Sequence, residues 1–213
     1  MTTEKKTRSK ADASSQVAGA KEPRTERGRR TLRLILAAAA QEFGERGYHD
    51  AAIARIAQLA DVAIGSFYTY FDSKEAVFRA LVDTMSAELR LAMTAVIVAA
   101  PDRLAGERAV IAAFIEFCRK NKALSRIIAE AAFVSEDAYR RHYDKLAKSY
   151  AASLTKAFGR GEMSDGDMMV RAWAIIGMNI FLGLRFGVWD ESADPAQIAD
   201  AGIALISEGL RPR

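Results

Sequence analysis

Apolar positions along this chain recur at three- and four-residue steps, the period of a helix with one buried face. Leu32, Ile35, Leu36, Ala39 and Phe43 make the inner stripe of a helix over about 25–46, with Gly47 as its stop. Ile53, Ile56, Ala57 and Ala60 fall at i, i+3, i+4 and i+7 and give a short second helix. Asp61 and Val62 mark a tight turn. A third short helix over about 63–70 then turns Val62 and Phe67 inward and Ile64, Ser66, Thr69 and Tyr70 outward. Asp72 or Ser73 can cap the next helix, with Glu75 suiting its first turn. Its stripe of Val77, Leu81, Met85, Leu89 and Val96 runs on toward Ala99, and Pro101 ends it.

The remainder keeps the helical period. Leu104, Ile111, Phe114, Ile115 and Cys118 line one helix, and a shorter one spans about 122–133. Ser135 can cap another, in which Tyr139, Tyr143, Leu146, Tyr150 and Leu154 recur until Gly159. A polar, glycine-rich loop follows over 159–166. Residues 167–187, with WAIIGMNIFLGL at their centre, are apolar nearly all round, so both sides of that helix should be covered. Asp194-Pro195-Ala196-Gln197 supplies a cap, a proline at the first helical position and a glutamine at the third, opening a last helix through Ile198, Ile203, Leu205, Ile206 and Leu210. The fold class is all-α.

Two short helices across a tight turn form a helix-turn-helix, whose second helix has the width of the DNA major groove. Its outer face offers hydroxyls and phenols, which suit close contact with phosphates and base edges. The pattern divides the chain into a polar tail (1–22), a three-helix DNA-binding unit (23–72), a connecting helix (73–100) and a larger helical bundle (101–213).

Charge sharpens this picture. The chain's net charge is +4, yet residues 1–33 hold ten Lys or Arg against four acids, so the rest is slightly acidic. A basic end on a near-neutral body points to a polyanion there only. The tail has almost no large apolar side chains and is expected to be disordered, either solvated or adding phosphate contacts. Cys118 is the single cysteine, which excludes an intrachain disulfide and a cysteine-based metal site; it reads as a small buried hydrophobe. No apolar run approaches the roughly 20 residues that span a bilayer, and the first residues lack a signal core, so a cytoplasmic protein is expected.

The string V-A-I-G-S-F-Y-T-Y-F-D-S-K-E-A-V, residues 62–77, resembles the recognition region of the TetR family of bacterial transcriptional regulators, typically V-S-x-G-x-L-Y-x-Y-F-x-S-K-E-x-L. Phe43, Gly47 and Tyr48 also stand where that family has them, and the resemblance extends over about 30–81. It implies that Ala63, Ile64, Gly65, Ser66 and Thr69 lie at the DNA face, and that Tyr68, Tyr70 and Lys74 hold phosphates. The alternative for the two tyrosines is a place in the core. Three departures stand out. Asp61 replaces the usual turn glycine, Ala63 replaces a capping serine, and Ala51, Ala52 and Ala54 replace hydroxyl or arginine positions on the preceding helix. Arg55 is adjacent and can substitute, and Arg29, Arg30 and Arg33 can compensate.

The same resemblance implies a small-molecule pocket and a dimer interface in the C-terminal half. The helix over 167–187 would line the one and, with the last helix, build the other, with Gly177 and Gly183 allowing close approach. Candidate ligand contacts are Phe114, Cys118, Tyr139, His142, Tyr143, Trp173, Asn179 and Arg185. Asn179 serves either the pocket or the core, while Arg185 meets a ligand anion or an acid such as Glu130. The expected function is a ligand-responsive regulator, a repressor that binds a palindromic duplex as a homodimer and is released by an amphipathic or aromatic molecule. An enzyme is disfavoured: there is no glycine-rich phosphate loop, no zinc spacing, no cofactor motif, and His49 and His142 lie far apart. The remaining alternative is a ligand-independent DNA-binding protein, which a fully packed C-terminal core would mark.

Overall fold

The computed structural model describes residues 23–209, so the tail and Leu210 lie outside the described residues. Within them the chain forms nine α-helices and no strand: α1 (Glu26–Asp50), α2 (Ile53–Leu59), α3 (Ile64–Tyr70), α4 (Lys74–Ala99), α5 (Arg103–Lys120), α6 (Lys122–Val134), α7 (Glu136–Gly159), α8 (Met168–Gly183) and α9 (Pro195–Glu208). α8 runs on into a π-helical turn, Leu184–Trp189.

Helix starts follow from short polar side chains that take up otherwise unpaired amides. Thr25, Ser73, Asp102, Asp167 and Asp194 each accept from a backbone N–H of the first turn that follows. Ser135 departs from expectation. It precedes α7 without capping it, because its hydroxyl donates to Asp137 Oδ1 and accepts from Arg79 Nε. Gly47 breaks α1 with φ of 78°, which L side chains reach only with strain.

Three hydrophobic clusters result. The first joins α1–α4 to α6, with Phe43, Phe67, Phe71 and Phe78 fully buried at its centre. Phe78 meets Phe43 and Tyr48 edge-on, each at 5.1 Å between ring centres, the orientation their quadrupoles favour. The second lies between α7 and α8, and the third where α5 and α9 meet α8. Gly183 and Gly187 let α8 and its π-helical turn press on α5: a Cβ at Gly183 would lie 2.6 Å from the Phe114 ring, and one at Gly187 2.6 Å from Cys118 Cβ. At Gly177 nothing of the same chain lies within 4 Å of a would-be Cβ, which leaves that position open.

Within the single chain one side of α8 stays open: Val170, Trp173, Phe181 and Trp189 are 63%, 44%, 71% and 69% exposed, an apolar seam spaced along the helix and its π-helical turn. The 22-residue span Met168–Trp189 has the length and hydropathy of a bilayer-crossing helix, properties that core helices of soluble proteins share. Its other face, however, packs against α5 and α7, and Asn179 lies buried on it.

Candidate functional site

The helix-turn-helix stands on its aromatic core. Phe67 anchors α3 from beneath, while Ile64, Gly65, Ser66, Tyr68 and Thr69 are exposed together on the outer side. Thr69 Oγ1 donates to Ser66 O at 2.6 Å, which fixes the hydroxyl's direction. Asp61 in the turn has φ of 54°, the left-handed conformation that aspartate tolerates better than most residues. Ala63 leads into α3 with no side-chain cap, as its missing hydroxyl dictates. Arg55 is exposed on α2 and donates to Gln58 Oε1 at 2.8 Å. Tyr70, expected outward, is half-buried against the core, its hydroxyl beside Gly28 near the start of α1.

Lys74 departs furthest from the phosphate role implied for it. Its ammonium donates to Tyr48 O at 2.7 Å and to His49 O and Ala51 O at 3.0 Å, and stands 4.7 Å from the Tyr48 ring centre. An ammonium has three N–H donors, so all three are engaged within the domain. The reason is electrostatic: as first residue of α4 the cation would face that helix's positive pole, and it turns instead to the carbonyl end of α1.

The second feature is a partly open cavity of about 420 Å³ lined by α4 to α8 and the start of the π-helical turn. Phe114, Cys118, Tyr139, His142, Tyr143 and Asn179 all line it. Trp173 does not: it lies outside, tilted against Tyr143 with 6.1 Å between ring centres. Arg185 is exposed outside the cavity and pairs with Asp190 at 3.0 Å, not with Glu130. Met85 and Leu146, which the pattern had marked only as helix stripe, complete the wall together with Val110 and Ile176. Periodicity finds a buried face but not the gap between several such faces.

Beneath the wall lies a polar cluster that sequence reasoning missed. Arg103 and Glu107 form a buried ion pair, Arg103 Nε donating to Glu107 Oε1 at 2.7 Å. The Tyr150 hydroxyl donates to the other carboxylate oxygen, and Arg103 Nη1 reaches Ser153 Oγ at 2.7 Å. Burial, then the neighbouring carboxylate, raises the Tyr150 phenol well above its ordinary range. The i, i+4 spacing of Arg103 and Glu107 was legible, but the absence of water around them was not.

His142 is also buried and hydrogen-bonded to Ser86. Burial holds its ring down at about 4, with Arg90 adding to the effect and Asp83 opposing it. Cys118 is pushed up to about 11 by burial, so its thiol stays protonated.

α6 connects the two features. Ser125, Ile128 and Ala129 face the cavity, while Arg126 and Glu130 grip the end of α1. Glu130 Oε2 accepts from Tyr48 N at 2.8 Å, and Arg126 donates to Glu130 Oε1 at 3.1 Å. Both side chains close over Gly47, where a Cβ would lie 2.5 Å from Arg126 Nη2 and 2.8 Å from Glu130 Oε1.

An exposed recognition helix on a rigid three-helix unit, joined to a helical domain with an internal cavity, defines a helix-turn-helix regulator. Residues 35–81 match the model for bacterial regulatory proteins of the tetR family, and the chain carries a TetR-family DNA-binding domain. It is 27% identical over 194 residues to the HTH-type transcriptional regulator YdgC of Bacillus subtilis, covering 88% of this chain and 96% of that one. Among solved structures, it resembles the transcriptional regulator FadR from Bacillus subtilis in complex with stearoyl-CoA, with TM-score 0.71 and 20% identity over 84% of this chain and 99% of that one. It also resembles Thermus thermophilus FadR, a TetR-family transcriptional repressor, in complex with lauroyl-CoA, with TM-score 0.63 and 21% identity over 85% and 96% of the two chains. At these identities the structural likeness carries the fold.

Proposed function

We propose that this protein is a ligand-responsive transcriptional repressor with no catalytic role, acting in the cytoplasm as a homodimer on a palindromic operator. The single observation that carries this reading is the position of α6, with the cavity on one side and the α1 end of the DNA-binding unit on the other. A molecule that prefers one setting of α6 shifts the population of DNA-binding units toward that setting. The cavity's size lies within the range of small-molecule sites, and its presence favours this account over a ligand-independent DNA-binding protein. Its mainly aliphatic and aromatic wall suits an acyl chain or an aromatic body, and the acyl-CoA complexes of the two FadR proteins make acyl thioesters the first compounds to try.

In this reading Ile64, Gly65, Ser66 and Thr69 approach base edges, Tyr68 and Arg55 approach phosphates, and Tyr70 contributes through its exposed part. The bare apolar seam of α8, with α9, is the surface through which two copies pair, since one recognition helix reads only a few base pairs.

Titrating the protein onto labelled duplex from upstream of its own coding sequence, with and without lauroyl- and stearoyl-CoA, tests this. Expected are two chains per palindrome, affinity falling steeply with salt, and release by an acyl-CoA. A monomer that ignores every duplex at low salt would refute the account.

A further inference from the structure

The helix-turn-helix is short of the charge that a duplex demands. Residues 51–73 hold a single cation, Arg55, against Asp61 and Asp72, and the ammonium of Lys74 is committed to the carbonyls at the end of α1. Affinity for DNA rests largely on cations that displace counterions along the phosphates. Another part of the unit must supply them.

The start of α1 has them. Residues 24–33 carry five arginines against Glu26, a net +4 that equals the formal charge of the whole chain, and all five are exposed. They are not equivalent. Arg29 and Arg33 share the Glu26 carboxylate, at 2.9 and 3.4 Å, which sets them apart from the compensating role expected of them. Arg24, Arg27 and Arg30 have no acidic partner among the described residues.

Their place follows from Gly28. A Cβ there would lie 2.7 Å from Pro23 Cβ and 3.6 Å from the Tyr70 hydroxyl, so the start of α1 lies against the C-terminal end of α3. Arg27 is the adjacent residue, about 3.8 Å away along the backbone. Arg30 follows it at i+3, on the side of α1 turned from the buried Leu32 and Ile35.

Resting on the reading of α3 as the groove-entering helix, we infer that Arg24, Arg27 and Arg30 form a second DNA contact surface, laid along the backbone phosphates beside that groove. Contacts to phosphates alone raise affinity for every sequence and discriminate none.

Full-length protein carrying Arg27→Gln or Arg30→Gln, titrated across a salt series, tests this. The probes are a duplex from upstream of its own coding sequence and a mixed-sequence duplex of equal length. Each substitution should weaken both duplexes alike. With one phosphate met per protomer and two protomers bound, the slope of log affinity against log salt becomes shallower by about 1.8. The advantage of the unaltered chain then shrinks about twelvefold between roughly 50 and 200 mM salt. Arg27→Lys keeps the charge and should restore the slope. Arg33→Gln is the control: it removes an equal charge from the same helix at a side chain that Glu26 already holds, and should leave the slope unchanged.

Unchanged slopes in Arg27→Gln and Arg30→Gln, or the same decrement in Arg33→Gln, would overturn the inference while leaving α3 as a DNA-binding helix. So would a loss confined to the upstream duplex, the mark of base readout. If the unaltered chain binds neither duplex at low salt, the DNA-binding reading fails and takes the inference with it. All these side chains are exposed, so their loss leaves the core intact, as circular dichroism of each variant checks.

Discussion

The contacts of Lys74 set two roles against each other, and Lys74→Met separates them. Methionine keeps the length and most of the apolar stem but deletes a cation that bonds three carbonyls at the end of α1 and faces the Tyr48 ring. Hydrogen bonds to a charged group are worth about 1.5–3 kcal/mol net, and a cation at a helix C-terminus roughly 0.3–1 kcal/mol. These terms share one ammonium whose own desolvation opposes them, so they do not add. Two of the carbonyls are partly buried, and the third can turn to water. We therefore expect a loss of about 2–3 kcal/mol, or roughly 4–12 °C in Tm for a chain of this size.

Thermal unfolding followed by circular dichroism gives that number. The slope of log affinity against log salt on a fixed duplex supplies the second axis. If each protomer's lysine neutralised one phosphate, its removal from both chains of the dimer would make that slope shallower by about 1.8, with little effect on Tm. A structural lysine lowers Tm and leaves the slope unchanged. An unaltered Tm together with a shallower slope would refute the capping role.

Gly47→Ala should cost about 1–3 kcal/mol from its positive-φ, extended backbone alone, and more from the Cβ driven into Arg126 and Glu130; urea unfolding reads the loss, and ligand release of DNA should weaken in the same variant. Glu107→Leu should cost about 3–5 kcal/mol by leaving Arg103 buried and uncompensated, whereas replacing both Arg103 and Glu107 with apolar residues should recover most of it, as a double-mutant cycle would show. The folded pKa of His142 is depressed, so its contribution is complete above about pH 6.5 and is lost as pH falls toward about 4, on the order of 3 kcal/mol in all. Stability measured across that window in His142→Phe should lack that portion of the decline.

The sequence made the helices legible because their ends depend on local chemistry. Thr25, Gly47, Pro101, Gly159 and Asp194-Pro195 act within a turn of themselves, and their helices begin or end beside them. The recognition helix was equally readable, since Phe67 and its exposed neighbours differ in kind. What local pattern could not reveal was partnership across the fold. Lys74 looked available because Tyr48, His49 and Ala51 come to it through the packing of α1 on α4. Arg185 turns to solvent and pairs with Asp190, while Asn179, six residues before it, stays inside. Ser135 was lost as a cap because Arg79, from α4, and Asp137, two residues on, engage its hydroxyl.

The bare seam of Val170, Trp173, Phe181 and Trp189 carries a quantitative consequence. If pairing hides it, unfolding becomes a second-order equilibrium, and the melting temperature climbs with the logarithm of protein concentration. Copy number then enters the switching curve twice, once through operator occupancy and once through survival of the fold. Dilution would therefore silence the regulator by a route that involves no effector.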